Sequence, residues 1–280
     1  MSTPPRLTDR TALTLHRQRA TRDPAAFLHD EAIAQVQERL EEVNRTFTSP
    51  AIITGHPQLW ANAIPGARIV ADNETTDLLP LAHDLVIHAM ALHWADDPVG
   101  QLVQARRALR PDGLLIAVLF GGQTLNELRA ALAEAEIAVR GGLSPRIAPM
   151  GEIRDLGALL QRAGFALPVA DSTPLRVTYA TPLHLMRDLR AMGETNALLA
   201  RDRRPAPRAL FTQAATLYAA GFPAEDGRIR ATFDLVFLTG WAPDDSQPKA
   251  LRPGSAKGRL AEALGVTETG LHDDVTSHRD

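Results

Sequence analysis

The sequence predicts an α/β fold in which a mostly parallel, doubly wound sheet carries helices on both faces. Four apolar runs of strand length lead there: Ala51-Ile52-Ile53, Arg68-Ile69-Val70-Ala71, Asp84-Leu85-Val86-Ile87 and Leu114-Leu115-Ile116-Ala117-Val118-Leu119. They are β-branched or leucine-rich without clean alternation, the pattern of strands buried on both faces. A helix-spaced segment through Val99, Leu102, Val103 and Leu109 separates the last two runs, and strand, helix, strand with short turns is a βαβ unit. With 280 residues, 45% of them hydrophobic and 22% charged, the chain can bury one large core or two small ones.

Taken in order, residues 1–22 are polar with five arginines and predict a flexible N-terminal arm. Asp23-Pro24 then opens an amphipathic helix through Phe27, Leu28, Ile33, Val36, Leu40 and Val43. The parallel core spans about 48–120, with Arg110-Pro111-Asp112-Gly113 turning the chain into its last strand. Helices are predicted over 123–139 and 151–163, and two strand pieces over 165–179 broken at Ser172-Thr173-Pro174. Two more helices, 182–192 and 206–220, flank a basic loop; 231–239 reads as a final strand, and 241–280 as an irregular tail.

Composition excludes several classes. A net charge of -3 gives no electrostatic case for nucleic acid, and zero cysteines exclude disulfides, thiolate metal sites and catalytic thiols. No apolar run reaches the roughly 20 residues of a membrane span, and the N-terminus lacks an apolar secretory core. A cytoplasmic protein is the expectation. His29-x-Glu31 and His272-x-Asp274 have metal-ligand spacing but lie away from the strand ends, so no metal site is predicted.

Ligands of doubly wound sheets bind beyond the carboxyl ends of the strands. The first run ends in Thr54-Gly55-His56-Pro57, where a nucleotide-type loop wants several glycines; Pro57 equally suits a helix start. The second ends in Asp72-Asn73-Glu74, an acid that accepts from ribose or adenine groups or merely caps a turn. The third ends in His88 to Pro98, with His93, Trp94, Asp96 and Asp97 crowded together. Either histidine there acts as a base or orients a substrate; otherwise Trp94 is a packing anchor and one aspartate caps the next helix. The fourth ends in Phe120-Gly121-Gly122-Gln123-Thr124, with Thr124 and Glu127 spaced as a capping box.

Together, Leu92-His93-Trp94, Asp97-Pro98, Leu109-Arg110-Pro111-Asp112-Gly113 and Phe120-Gly121-Gly122 resemble the class I S-adenosyl-L-methionine (SAM) dependent methyltransferases, near the malonyl-carrier methyl ester enzymes of biotin synthesis. The stretches 120–129, 141–147, Asp155-Leu156-Gly157, Met192-Gly193-Glu194-Thr195-Asn196 and Thr239-Gly240-Trp241 resemble the mitochondrial complex I assembly-factor branch, a methyltransferase-like arginine-hydroxylase family. The resemblance implies a Rossmann-like domain over 23–240 with a helical lid insertion at 181–221. It implies SAM over Gly55, Asp72 and the His88-Ala89 strand end. A protein substrate, a subunit of respiratory NADH:quinone oxidoreductase, would approach past His93 and Trp94, the catalytic candidates. The chain departs from the family in its glycine loop, of which Gly55 alone remains. Gly55 to Asp72 spans 72 − 55 = 17 positions, too few for the family's elements, so one strand–helix unit is expected to be missing.

Overall fold

The computed structural model describes residues 6–248, and the fold lies within the unit that ends at Asp244. Its strands are β1 (Pro50–Thr54), β2 (Arg68–Val70), β3 (His83–Ala89), β4 (Leu109–Gly121), β5 (Ala166–Tyr179) and β6 (Ile229–Trp241). They form one six-stranded sheet in the order β2-β1-β3-β4-β6-β5. β2, β1, β3 and β4 are mutually parallel, while β6 runs antiparallel between β4 and β5. Helices α1 (Arg10–Ala20), α2 (Phe27–Val43), α3 (Pro57–Trp60), α4 (Pro98–Ala108), α5 (Asn126–Arg140), α6 (Ile153–Arg162), α7 (Pro182–Ala191) and α8 (Arg208–Gly221) complete it.

Alternate strand residues point to opposite faces. Ile52, Leu85, Ile87, Ile116 and Val118 meet Val36 of α2, Leu128 of α5, Leu185 of α7 and Leu210 of α8. Ala51, Ile53, Val86, Leu115 and Ala117 meet Leu102 of α4 and Leu160 of α6. Covering both faces of the parallel strands favours apolar residues on either side, which is why their centres read as continuous apolar runs.

Between β1 and β3 stand only the four-residue α3 and the three-residue β2, which pairs directly with β1 and forms the sheet edge. The sheet is short by a strand–helix unit, as its sequence spacing predicts.

Four expectations are corrected. Among the described residues of the expected arm, Arg10–Ala20 form the helix α1 instead: Asp9 caps it through Ala12 N (3.0 Å), and Leu13 is buried. Residues 166–179 form one strand, since β5 lies at the sheet edge, where Pro174 pairs with Asp234 without needing to donate outward. Arg110–Gly113 is a bulge inside β4, with Asp112 at φ 60°, rather than a turn before it. Thr124 and Glu127 form no capping box. Thr124 Oγ1 donates to the Gly121 carbonyl (2.7 Å), and the buried Glu127 accepts from Thr232 Oγ1 (2.6 Å) and Thr232 N (3.2 Å) on β6. Most of the expected 241–280 tail, including His272 and Asp274, lies outside the described residues.

Glu127 thus fastens the start of α5 to β6. Glu127→Ala leaves the half-buried Thr232 donors without their acceptor and is expected to cost about 1–3 kcal/mol. A urea midpoint at the wild-type value would show that the bond contributes nothing.

Candidate functional site

The carboxyl ends of β1, β2 and β3 carry a buried polar cluster with a cavity on either side. β3 ends where Met90, at φ 49°, turns away while its N–H still reaches the Val118 carbonyl (2.8 Å). The next residues close a single 3-10 turn, Leu92–Trp94, and Asp97 then caps α4 through Gly100 N (2.8 Å). This turn holds the His93 ring 5.0 Å from that of Phe120 and 5.8 Å from that of Trp94.

Opposite stands Glu194. Gly193, at φ 79°, ends α7, and Glu194 N bonds to the Leu189 carbonyl (2.9 Å), returning the carboxyl toward the sheet. Trp94 Nε1 donates to its Oε2 (2.7 Å), and His93 Nε2 lies 3.3 Å from the same oxygen. Burial pushes this carboxyl up, but His93, then Arg17 and His56, outweigh burial and bring it down to about 2.

The N-terminal helix supplies the third element. Leu13, Arg17 and Ala20 share its buried face, so a charged residue occupies an apolar position of the helical pattern. Arg17 Nη1 donates to both oxygens of the buried Asp72, each at 2.9 Å, and Arg10 joins from two turns earlier at 3.3 Å. Burial raises the Asp72 carboxyl, yet Arg17 and Arg10 prevail and hold it below the usual carboxylate range. Two glycines make room for Arg17. A side chain at Gly55 would overlap its guanidinium, and one at Gly193 would come within 3.1 Å of its Cγ.

Three histidines complete the cluster. Trp60 Nε1 donates to His29 Nδ1 (3.1 Å), so the His29 proton resides on Nε2, and the His56 ring lies 4.6 Å from it. Burial, then neighbouring positive charge, pushes His29 down to about 3 and His56 to about 4. Burial likewise takes His88 down to about 4 against the pull of Asp72.

Arg17, Gly55, His56, Asp72 and Met192 line a cavity of about 380 Å³. His93, Trp94, Phe120, Phe233 and Glu194 line a second of about 230 Å³. The Met192–Glu194 turn separates the two. Gly55 and Asp72, expected at the cofactor, therefore share one cavity, and His93 and Trp94, expected at the substrate, share the other. His88 and Ala89 line neither, because β3 remains paired with both neighbours through Ala89 and packs their side chains into the sheet faces. Sequence reasoning missed Arg17, His29, Trp60 and the placement of Glu194. Only Arg17 had a signal, its position on the buried face of a helix capped by Asp9.

The three histidines make stability depend on pH. Their folded values lie below the ordinary 6.5, so the native state excludes protons that the unfolded chain binds. Stability is complete above about 6.5 and declines as pH falls from there toward 4, by on the order of a few kcal/mol. Urea midpoints that stay level from pH 7 to 4.5 would contradict this.

A family model described as a methyltransferase domain matches residues 30–117. The chain is 36% identical over 228 residues to arginine-hydroxylase NDUFAF5, mitochondrial, of Danio rerio, covering 79% of this chain and 69% of that one. The Homo sapiens protein of the same name is 39% identical over 199 residues, 69% of this chain and 56% of the relative. Malonyl-[acyl-carrier protein] O-methyltransferase of Halorhodospira halophila is 32% identical over 174 residues, 62% of this chain and 57% of the relative. The expectation of a cytoplasmic protein is overturned by these NDUFAF5 relatives, each named as mitochondrial. That expectation rested on the lack of a membrane span or secretory core, which does not discriminate between aqueous compartments. Matched across four fifths of its length, and with the sheet and strand-end site in place, the chain belongs to the class I methyltransferase superfamily, in the branch of the NDUFAF5 arginine-hydroxylases.

Proposed function

We propose that this chain acts in the maturation of respiratory NADH:quinone oxidoreductase by modifying an arginine residue of a protein subunit. Kinship with relatives named arginine-hydroxylases supports the residue type, and their role in assembling that enzyme is what the family resemblance implies. The observation that carries the reading is the completeness of the substrate side. His93 and Trp94 lie against a cavity whose walls include Met186 and Leu189 of α7 and Phe211 of α8, the helices of the expected lid. Trp94 and Phe120 shape the cavity and exclude water. His93, hydrogen-bonded to Glu194, is the group placed to orient an incoming side chain.

The methyltransferase domain implies SAM, which supplies an electrophilic methyl group when bound. Its methionine half would lie over Gly55, beside Asp72. The residues there do not fit it: the Arg17 guanidinium fills the space over Gly55, both Asp72 oxygens are engaged, and a sulfonium beside Arg17 is repelled. The same observation favours a second reading, a non-catalytic assembly module that keeps the substrate side and has lost its cofactor.

Mass spectrometry of the oxidoreductase subunits, with and without this gene, separates the readings. Loss of an arginine mass shift supports modification, while unchanged masses with failed assembly support the module. Unchanged masses with normal assembly overturn both. Calorimetry is expected to give no micromolar SAM binding to the wild type. Tight binding that vanishes in Asp72→Ala would overturn the misfit at Gly55.

A further inference from the structure

Glu194 is an unusual residue to find in the wall of a cavity lined mostly by aromatic and aliphatic side chains. Both of its hydrogen bonds fall on Oε2, from Trp94 and His93, and Oε1 takes none among the described residues. The side chain is 10% exposed and lines the 230 Å³ cavity, whose walls include Trp94, Phe120, Met186 and Phe233. Its depressed titration keeps it ionised at neutral pH.

A buried carboxylate is costly unless its oxygens are met, and His93 and Trp94 meet only Oε2, which leaves Oε1 open to a cation. The arginines that line the same cavity do not serve. Arg146 is bonded to Glu136 at 2.5 Å, and Arg190 is exposed. Arg17, on the far side of the Met192–Glu194 turn, is held by Asp72 and lines the other cavity. The cation that suits this cavity must also present an apolar stem to its walls and a weakly hydrated head to Glu194. A guanidinium on three methylenes does both, and its plane stacks on aromatic rings, whereas an ammonium holds its water more tightly.

We propose that Glu194 is the specificity residue of this cavity, receiving through Oε1 the guanidinium of a substrate arginine whose methylenes lie along Trp94, Phe120 and Phe233. This rests on the reading that an arginine residue is addressed, and provides that residue with a receptor. Glu194 binds and positions the side chain. His93, bonded to Oε2, is thereby brought beside it.

The test is calorimetry on the full chain with N-acetyl-arginine methylamide and its citrulline and lysine counterparts. The citrulline compound keeps the shape and loses the charge. The arginine compound is expected to bind at least about tenfold more tightly than either, and Glu194→Gln to abolish that preference. Equal binding of arginine and citrulline, or an unchanged preference in Glu194→Gln, overturns the proposal; equal binding of lysine overturns the guanidinium assignment. Should Glu194→Gln fail to fold, Met186→Trp fills the cavity with the carboxylate intact and is expected to eliminate arginine binding. Wild-type affinity in that variant would overturn the site. The subunit masses separate this proposal from the reading beneath it. An arginine mass shift without a binding preference removes the receptor and leaves the function, and a preference without any mass shift does the reverse.

Discussion

Arg17 and Asp72 join the first helix to the end of β2 through an ion pair largely withdrawn from water. Two charges taken out of water are repaid only when geometry is good and the remaining hydrogen-bonding groups are met. Asp72 meets that condition by accepting from both Arg17 and Arg10, while Nε and Nη2 of Arg17 are buried without a hydrogen-bond partner among the described residues. The pair therefore specifies one seating of α1, and much depends on that seating. Ala12 and Leu13 pack with Trp94, Ala197 and Leu198, while Leu7 N and Thr8 N bond to Asp96 at 2.8 and 2.9 Å. Asp9 accepts from the Ala12 amide and forms an ion pair with Arg201 at 2.9 Å. The segment that carries Glu194 is held by the same helix that fills the space above Gly55.

That arrangement follows from the shortened stretch between β1 and β3. A helix of four residues and a strand of three leave the end of β1 without the broad loop that cradles a cofactor. The space is taken by a side chain from elsewhere in the chain. Gly55 and Gly193 are needed because the Arg17 side chain passes between them, so a glycine that reads as a cofactor-loop remnant in the sequence has a packing role in the fold.

The electrostatics of the two cavities differ for the same reason. On one side the arginines of α1 neutralise Asp72. On the other, the Glu194 carboxylate faces walls that are mostly aromatic and aliphatic, and Arg146 there is already bonded to Glu136. In surroundings of low polarizability each of these charges acts strongly on its neighbours. Glu194 consequently stays ionised despite its burial, because donors converge on it from the Leu92–Trp94 turn.

The sheet order's raw material, its helices and the His93-Trp94 turn were legible because periodicity and strand-end punctuation are local properties of a few neighbouring residues. The missing strand–helix unit was legible too, as a spacing that no folded chain can evade. Pro174 inside an edge strand and Glu127 reaching β6 were not, since each depends on which element becomes a neighbour. Nor was the site itself. Arg17 meets Asp72 across 55 positions and Trp94 meets Glu194 across 100, and the sequence carries no periodic trace of contacts closed over such distances. The amino-acid sequence by itself determined the elements and the deficit at the cofactor loop. The tertiary structure alone decided that α1 would fill that deficit and that Glu194 would face the substrate cavity, because long-range packing selects which buried charges can be paired.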